Sequence, residues 1–351
     1  MTLTYNLWTT GCQMNEADAL RAAALLESVG FRSVPHAREA AFLLLNTCVV
    51  RQQAEDKALS RLTYIAELKR NHPDLTVVLM GCLVGKNPDE LPVLRGRFPF
   101  VDLFLPPSDL VPLRALLARR GFQPPPAVDA DDLPPLPASR AGHTIVAHLP
   151  VVLGCSHACT YCVIPYRRGG ERSRPAADIL AEAAALATRG VREIILLGQI
   201  VDRYGLDRPG EIHLPELLRR VAAVPGIVRV RFLTSHPQWI TDELIAAVAA
   251  TPGLCPYFEI PVQAGSDAVL AAMRRGYTAA GYEALVAKIR AAVPAVGIST
   301  DMIVGFPGET PAQFAESMAL MRRINPDMIR IAKYSPRPQT YSARHLPDDV
   351  P

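Results

Sequence analysis

Cys155, Cys159 and Cys162 stand in the order Cys-x3-Cys-x2-Cys within LGCSHACTYCVIPYRRGGERSRP. Three thiolates at that spacing can hold three irons of a 4Fe-4S cubane, leaving the fourth iron without a protein ligand and open to an outside chelator. An open iron points to chemistry on a bound molecule, whereas a ferredoxin closes its cluster with a fourth cysteine. Here the next cysteine, Cys255, lies far downstream. Two plainer readings use the same residues: a zinc site completed by a ligand such as His157, or buried structural thiols.

Cys12, Cys48 and Cys82 form a second set, and the fold must unite them. TYNLWT, AAFLLLN, TVVLMG and VDLFL read as buried parallel strands, with EADALRAAALLESVG and AEDKALSRLTYIAELKR as the helices that follow the first two. This βαβ pattern predicts an open parallel α/β domain over residues 1–120. Each of the three cysteines comes directly after one of the first three strands. In an open parallel sheet, loops at the carboxyl ends of neighbouring strands converge on one crevice, so these cysteines can meet although they are far apart in sequence.

Residues 121–142, GFQPPPAVDADDLPPLPASRAG, have no helical or alternating period and read as a linker. From 143 to 351, the runs TIVAHLPVVLG, REIILLG, VRVRFLT, YFEIPV, GISTDMIVGF and MIRIAKY are separated by helical stretches. That alternation predicts a partial (βα)6 barrel of the TIM type, with function at the carboxyl ends of its strands. The Cys155–Cys162 loop lies there.

The chain has 351 residues, 49% apolar and 20% charged, which is ordinary for a globular protein of two domains. No run approaches the roughly 18 apolar residues of a membrane span, and the N-terminus lacks a secretion pattern, so a cytoplasmic protein without membrane association is expected. Seven cysteines without a secretion signal favour metal or redox use over a disulfide framework. A net charge of +3 does not argue for nucleic acid, but Arg167, Arg168, Arg172 and Arg174 cluster beyond the cysteine loop. They would ring an active-site mouth and meet phosphates, or form a solvated loop with Glu171.

The Cys-x3-Cys-x2-Cys loop, with Tyr161 before its last cysteine, resembles the signature of the radical S-adenosylmethionine superfamily. With TTGCQMNEAD, NTCVVRQQAEDK, GCLVGK, LTSHPQWITDELI, PVQAGSDAVLAAMRRGYT, DMIVGFPGET and YSPRP, the chain is similar along its length to the methylthiotransferases of that superfamily. The likeness is to the branch acting on tRNA adenosine that bears an isopentenyl-type group beside the anticodon. The resemblance implies two 4Fe-4S clusters, one on Cys155, Cys159 and Cys162 that chelates and cleaves S-adenosylmethionine, and one on Cys12, Cys48 and Cys82 whose open iron carries sulfur. It implies replacement of an adenine C2-H by a methylthio group, with a carbon radical attacking a bond too inert for acid-base chemistry. Branches acting on threonylcarbamoyladenosine or a ribosomal protein are alternatives, as is a non-catalytic iron or zinc protein that binds RNA. The implied partners are the tRNA anticodon stem-loop, an electron donor such as flavodoxin or ferredoxin, and a sulfur donor that the sequence does not identify.

The resemblance also places cofactor contacts at Gly198 and Gln199, which end the IILLGQ strand, and at later strand ends through Gln263, Ser266, Ser299 and Asp301. Arg275 is a candidate partner for a carboxylate, and His236 in TSHP reads as a loop brace. The family's GQNVNSYG, PVQSGS and RPGT stand here as GQIVDRYG, PVQAGS and RPQT, so Ile200, Asp202, Ala264 and Gln339 bear on the details of substrate contact. The sequence ends at LPDDVP, where members continue into a small all-β RNA-binding domain called TRAM. Loss of such a basic module would weaken tRNA affinity without altering the chemistry.

Overall fold

The structure, a computed structural model, describes residues 3–125 and 136–350. Residues 126–135 of the expected linker lie outside the described residues. The chain divides into two compact units, one of Met1–Thr144 with Tyr166–Gly169, the other of Ile145–Pro165 with Gly170–Pro351.

The first unit is built on a five-stranded sheet in the order β2-β1-β3-β4-β5, where β1 is Thr4–Thr9, β2 Arg32–Ser33, β3 Phe42–Thr47, β4 Thr76–Gly81 and β5 Leu103–Leu105. Every neighbouring pair is parallel. β3 and β4 are buried along their whole length, which is why their sequences run apolar without alternation: a strand covered on both faces has no solvent side. The helix Gln13–Ser28 follows β1 and the helix Gln52–Asn71 follows β3. The alanine-rich face of the first packs Ala22, Leu25 and Leu26 against Tyr5, Leu44 and Val78.

The second unit carries β6 (Val146–Pro150), β7 (Val152–Leu153), β8 (Arg172–Ser173), β9 (Glu193–Leu197), β10 (Arg229–Leu233), β11 (Tyr257–Glu259), β12 (Gly297–Val304) and β13 (Met328–Lys333). Two parallel three-stranded sheets form, in the orders β10-β9-β6 and β11-β12-β13. A parallel bridge between Val230 and Leu254 and a bond from Ser235 N to Glu259 O (3.0 Å) run between β10 and the β11 segment. Six parallel strands therefore follow one another from β6 to β13, and among the described residues no pairing returns β13 to β6. The result is an open, partial barrel. β7 and β8 form a short antiparallel ribbon at the carboxyl end of β6. Among the described residues no helix is long and apolar enough to cross a membrane.

Candidate active site

In the second unit Cys155 lies just past β7, after Gly154, and is buried, while Cys159 and Cys162 are partly exposed, and all seven cysteines are free thiols. The loop is pinned on several sides. Thr160 N donates to Met273 O (3.2 Å) and its Oγ1 to Ala272 O (2.9 Å), while Ser342 N donates to Thr160 O (2.9 Å). Tyr161 packs beside Ala264, Met273 and Phe306. Arg275 donates to Cys159 Sγ at 3.2 Å, and its other nitrogens bind Tyr277 Oη (2.8 Å) and Pro261 O (3.1 Å).

Burial, and then the neighbouring thiols, push Cys162 up to about 12, and burial pushes Cys155 up to about 11. Thiols that resist ionisation alone, and that oppose one another when ionised, are stabilised as thiolates by a shared cationic centre. Among the described residues no three His, Cys, Asp or Glu side chains meet closely enough to hold a single metal ion. A cubane makes a different demand, since each thiolate binds its own iron at a separate corner.

Four buried polar atoms beside this loop have no partner: His157 Nε2, Ser235 Oγ, His236 Nε2 and Trp239 Nε1. Unpaired polar atoms are rare in a folded interior, and four in one place mark a site shaped for a polar group. The rings of His157 and His236 lie 4.5 Å apart, and Trp239 packs against the cluster of Cys155, Ile164 and Ile200. His236 does brace its loop, because Nδ1 accepts from Gln238 N (3.3 Å) and its own N–H donates to Asp202 (3.0 Å). Burial and the nearby Arg275 hold the imidazole neutral, so the proton sits on the unpartnered Nε2. The site fits a 4Fe-4S group with a bound polar ligand.

The other expected contacts divide into two groups. Gly198 lies in close packing, where an added Cβ would meet Val201 and Val152 at 2.9 and 3.1 Å, and Ile200 reaches Cys155, so the loop after β9 adjoins the cysteines. Gln263 takes a left-handed φ of 74°, and Ser266 precedes the helix Asp267–Ala272 without capping it. Their loop touches Arg275 and Tyr277 through Pro261 and Val262. Ser299 and Asp301 sit within β12 and already have partners: Tyr257 donates to Ser299 (2.7 Å), and Arg330 faces Asp301 (3.5 Å) and Glu259 (2.7 Å). Ile200 and Ala264 are core residues, and Asp202 is a buried brace. Three of the four positions that differ from the family pattern are therefore buried, Ile200 against Cys155.

In the first unit, strand ends bring the second cysteine set together. Cys48 and Cys82 directly follow β3 and β4, and Cys12 immediately precedes the helix Gln13–Ser28, with no capping bond from its side chain. Burial, followed by Cys82, pushes Cys48 up to about 11. Gly11, at φ 124°, permits the approach of the first loop, since a Cβ there would lie 2.6 Å from Cys48 Cβ. Gly81, at φ 93°, does the same beside the Thr47 carbonyl.

Asn15 ties the loops. It is fully buried, donates through Nδ2 to Thr10 O (2.8 Å) and Thr47 O (2.9 Å), and offers Oδ1 to Arg168 (2.5 Å) with Cys82 Sγ at 3.9 Å. Sequence reasoning missed Asn15, Asp18, Tyr277 and Trp239. Asn15 alone had a local signal, its place in the first turn after Cys12.

The basic run matches neither expectation, a mouth that meets phosphates or a solvated loop with Glu171, because Arg167, Arg168 and Arg174 are buried. Arg167 is buried and binds Cys82 O, Leu83 O and Glu90; Arg168 is buried against Asn15, Asp18 and Ser108; Arg174 pairs with buried Glu182. Arg172 remains exposed. A guanidinium with five donors satisfies several carbonyls at once, which suits it to bracing loops that lack regular partners.

Residues 149–321 match the family described as Radical SAM superfamily, and residues 4–105 match the Uncharacterized protein family UPF0004. A tRNA-2-methylthio-N(6)-dimethylallyladenosine synthase of Roseiflexus sp. (strain RS-1) is 47% identical over 97% of this chain and 70% of the relative. The chain belongs to the tRNA-2-methylthio-N(6)-dimethylallyladenosine synthase family. Another family member, from Chloroflexus aurantiacus (strain ATCC 29366 / DSM 635 / J-10-fl), is 46% identical over 98% of this chain and 72% of its own. Among solved structures, the radical S-adenosylmethionine methyltransferase TsrM of Kitasatospora setae aligns with a TM-score of 0.65 over 96% of this chain and 77% of that chain. At 15% identity that likeness concerns the fold alone. The radical S-adenosylmethionine match covers the cysteine loop of the second unit, and its family implies S-adenosylmethionine and a 4Fe-4S cluster as cofactors.

Proposed function

We propose that this protein is a radical S-adenosylmethionine enzyme that replaces the C2-H of N6-isopentenyladenosine beside the tRNA anticodon with a methylthio group, using two 4Fe-4S clusters. The observation that carries this reading is a set of three free thiols in each unit, on loops after parallel strands in the first and on the single loop after β7 in the second. When bound, the clusters supply the electron that cleaves S-adenosylmethionine and the iron that carries sulfur.

The chain's own residues do the rest. Cys155, Cys159 and Cys162 hold one cluster, and Arg275 offsets thiolate charge at Cys159. The unpaired His157, Ser235, His236 and Trp239 atoms line the polar shell around it. Gly198, Gln199, Gln263 and Ser266, on loops bordering the cysteines, are proposed to contact S-adenosylmethionine, while Ser299 and Asp301 would act from within the barrel. Cys12, Cys48 and Cys82 hold the second cluster on loops tied by Asn15. Residues 1–120 and 143–351 would serve as the sulfur-carrying and radical domains. The anticodon stem-loop would be the part of tRNA engaged, flavodoxin or ferredoxin the electron donor, and the cytoplasm the setting.

Removing one thiol from each set tests the division. Cys159→Ala should abolish 5'-deoxyadenosine formation, whereas Cys48→Ala should retain it and lose the methylthio nucleoside in digested tRNA. Metal analysis should give about eight iron and eight sulfide per chain. Survival of both activities in Cys48→Ala, or one zinc and no sulfide, would overturn the proposal.

A further inference from the structure

We infer that Arg168 is the positioning cation of the Cys12, Cys48 and Cys82 site, whose buried charge sets how readily a cluster held there accepts an electron. This rests on the proposed second cluster. Tyr166–Gly169 belongs to the first unit although it lies only a few residues beyond Cys162 in sequence. The Arg168 guanidinium is 2% exposed. Its Nη2 donates to Asn15 Oδ1 (2.5 Å) and Asp18 Oδ2 (3.1 Å), and Nη1 to Ser108 Oγ (3.3 Å). Ser108 Oγ donates in turn to Asp18 Oδ1 at 2.8 Å. Asn15 Oδ1, which takes the Arg168 bond, lies 3.9 Å from Cys82 Sγ. Arg168 Nε is buried without a hydrogen-bond partner, available to an acceptor on a bound group.

A buried ion pair is a costly way to hold a fold, because apolar residues of similar volume often do it as well or better. This pair has a second consequence. Asp18 is as buried as Arg168, so neither charge is screened by water, and both reach the Cys82 thiol with opposite sign. Reduction adds one negative charge to a cluster. A guanidinium nearby favours that state and a carboxylate opposes it, so the two members of the pair push the reduction equilibrium in opposite directions. A purely structural brace makes no such prediction, since breaking it from either end has the same effect.

The test uses the full chain carrying Cys155→Ala, Cys159→Ala and Cys162→Ala, which leaves the first-unit site alone, with dithionite as reductant and electron paramagnetic resonance as readout. Arg168→Gln should lower the reduction equilibrium constant about tenfold, ~59 mV for one electron, and Asp18→Asn should raise it by a similar factor. Arg168→Lys should stay near the parent. Unchanged potentials at full iron content, or shifts of the same sign in both neutralising variants, would reduce Arg168 to a brace and overturn the inference. If Arg168→Gln loses its iron, Asp18→Asn decides alone by the sign of its shift. A parent without iron would remove the second-cluster reading itself, and this inference with it.

Discussion

Arg275 donates through Nη1 to the Sγ of Cys159 at 3.2 Å while its other nitrogens hold Tyr277 and Pro261. The residue is buried, so a positive charge reaches the thiol with little screening. Arg275→Leu removes both charge and donor. It should lower 5'-deoxyadenosine formation at least about tenfold, the equivalent of ~1.4 kcal/mol in the barrier. Arg275→Lys, which keeps the charge but not the planar fork, should fall between. Chromatography of the nucleoside, normalised to iron content, checks both.

Asn15 makes a comparable prediction for the first unit. Asn15→Ala leaves the Thr10 and Thr47 carbonyls and the Arg168 donor short of a partner in a buried place. Each lost bond of this kind costs about 1–3 kcal/mol. The three cysteine loops should spread, and iron should fall from about eight to about four per chain. Cleavage of S-adenosylmethionine should persist. Iron and sulfide assays beside 5'-deoxyadenosine formation would expose a role confined to general stability, in which both would drop together.

The strands and both cysteine sets were legible because buried parallel strands write themselves as unbroken apolar runs, and TVVLMG and FLLLNT are covered on both faces. Side-chain partners were not legible. Asp18 and Arg168 are 150 residues apart, and nothing local distinguishes Arg168, buried on Asp18, from exposed Arg172. The same holds for Asp301, whose ion pair comes from the neighbouring strand at Arg330. Ile200 and Ala264 looked like changes at a ligand surface because their loops carry motif residues, yet both side chains point into packing. Motifs report which loops matter, while burial decides what each residue in them does.

Gly11 tests the geometry of loop approach. At φ 124° a side chain is strained, and its Cβ would meet Cys48 Cβ at 2.6 Å and Asn15 Nδ2 at 2.7 Å. Gly11→Ala should therefore separate the Cys12 loop from Cys48. The expected outcome is loss of second-site iron and about 1–3 kcal/mol of stability, read from iron content and urea unfolding. Gly121→Ala, where a Cβ meets nothing, has comparable backbone strain without the clash and should keep full iron.

Asp202 supplies a pH dependence with a definite sign. Burial raises its carboxyl from 3.8 to about 8, although the His236 N–H bonds pull the other way. The folded protein therefore keeps this group protonated where the unfolded chain has already ionised. A folded pKa above the unfolded one means stability is intact below about pH 4 and is lost as pH rises towards 8, levelling off beyond it. Asp202→Asn keeps an acceptor for His236 N and restores the asparagine of the family pattern, but cannot ionise. The stability of the variant relative to the parent should rise by about 1–3 kcal/mol between pH 5 and pH 7. Urea unfolding of both proteins across that range checks it: parallel curves would mean that Asp202 is ionised in the folded state, with its charge met by Arg203.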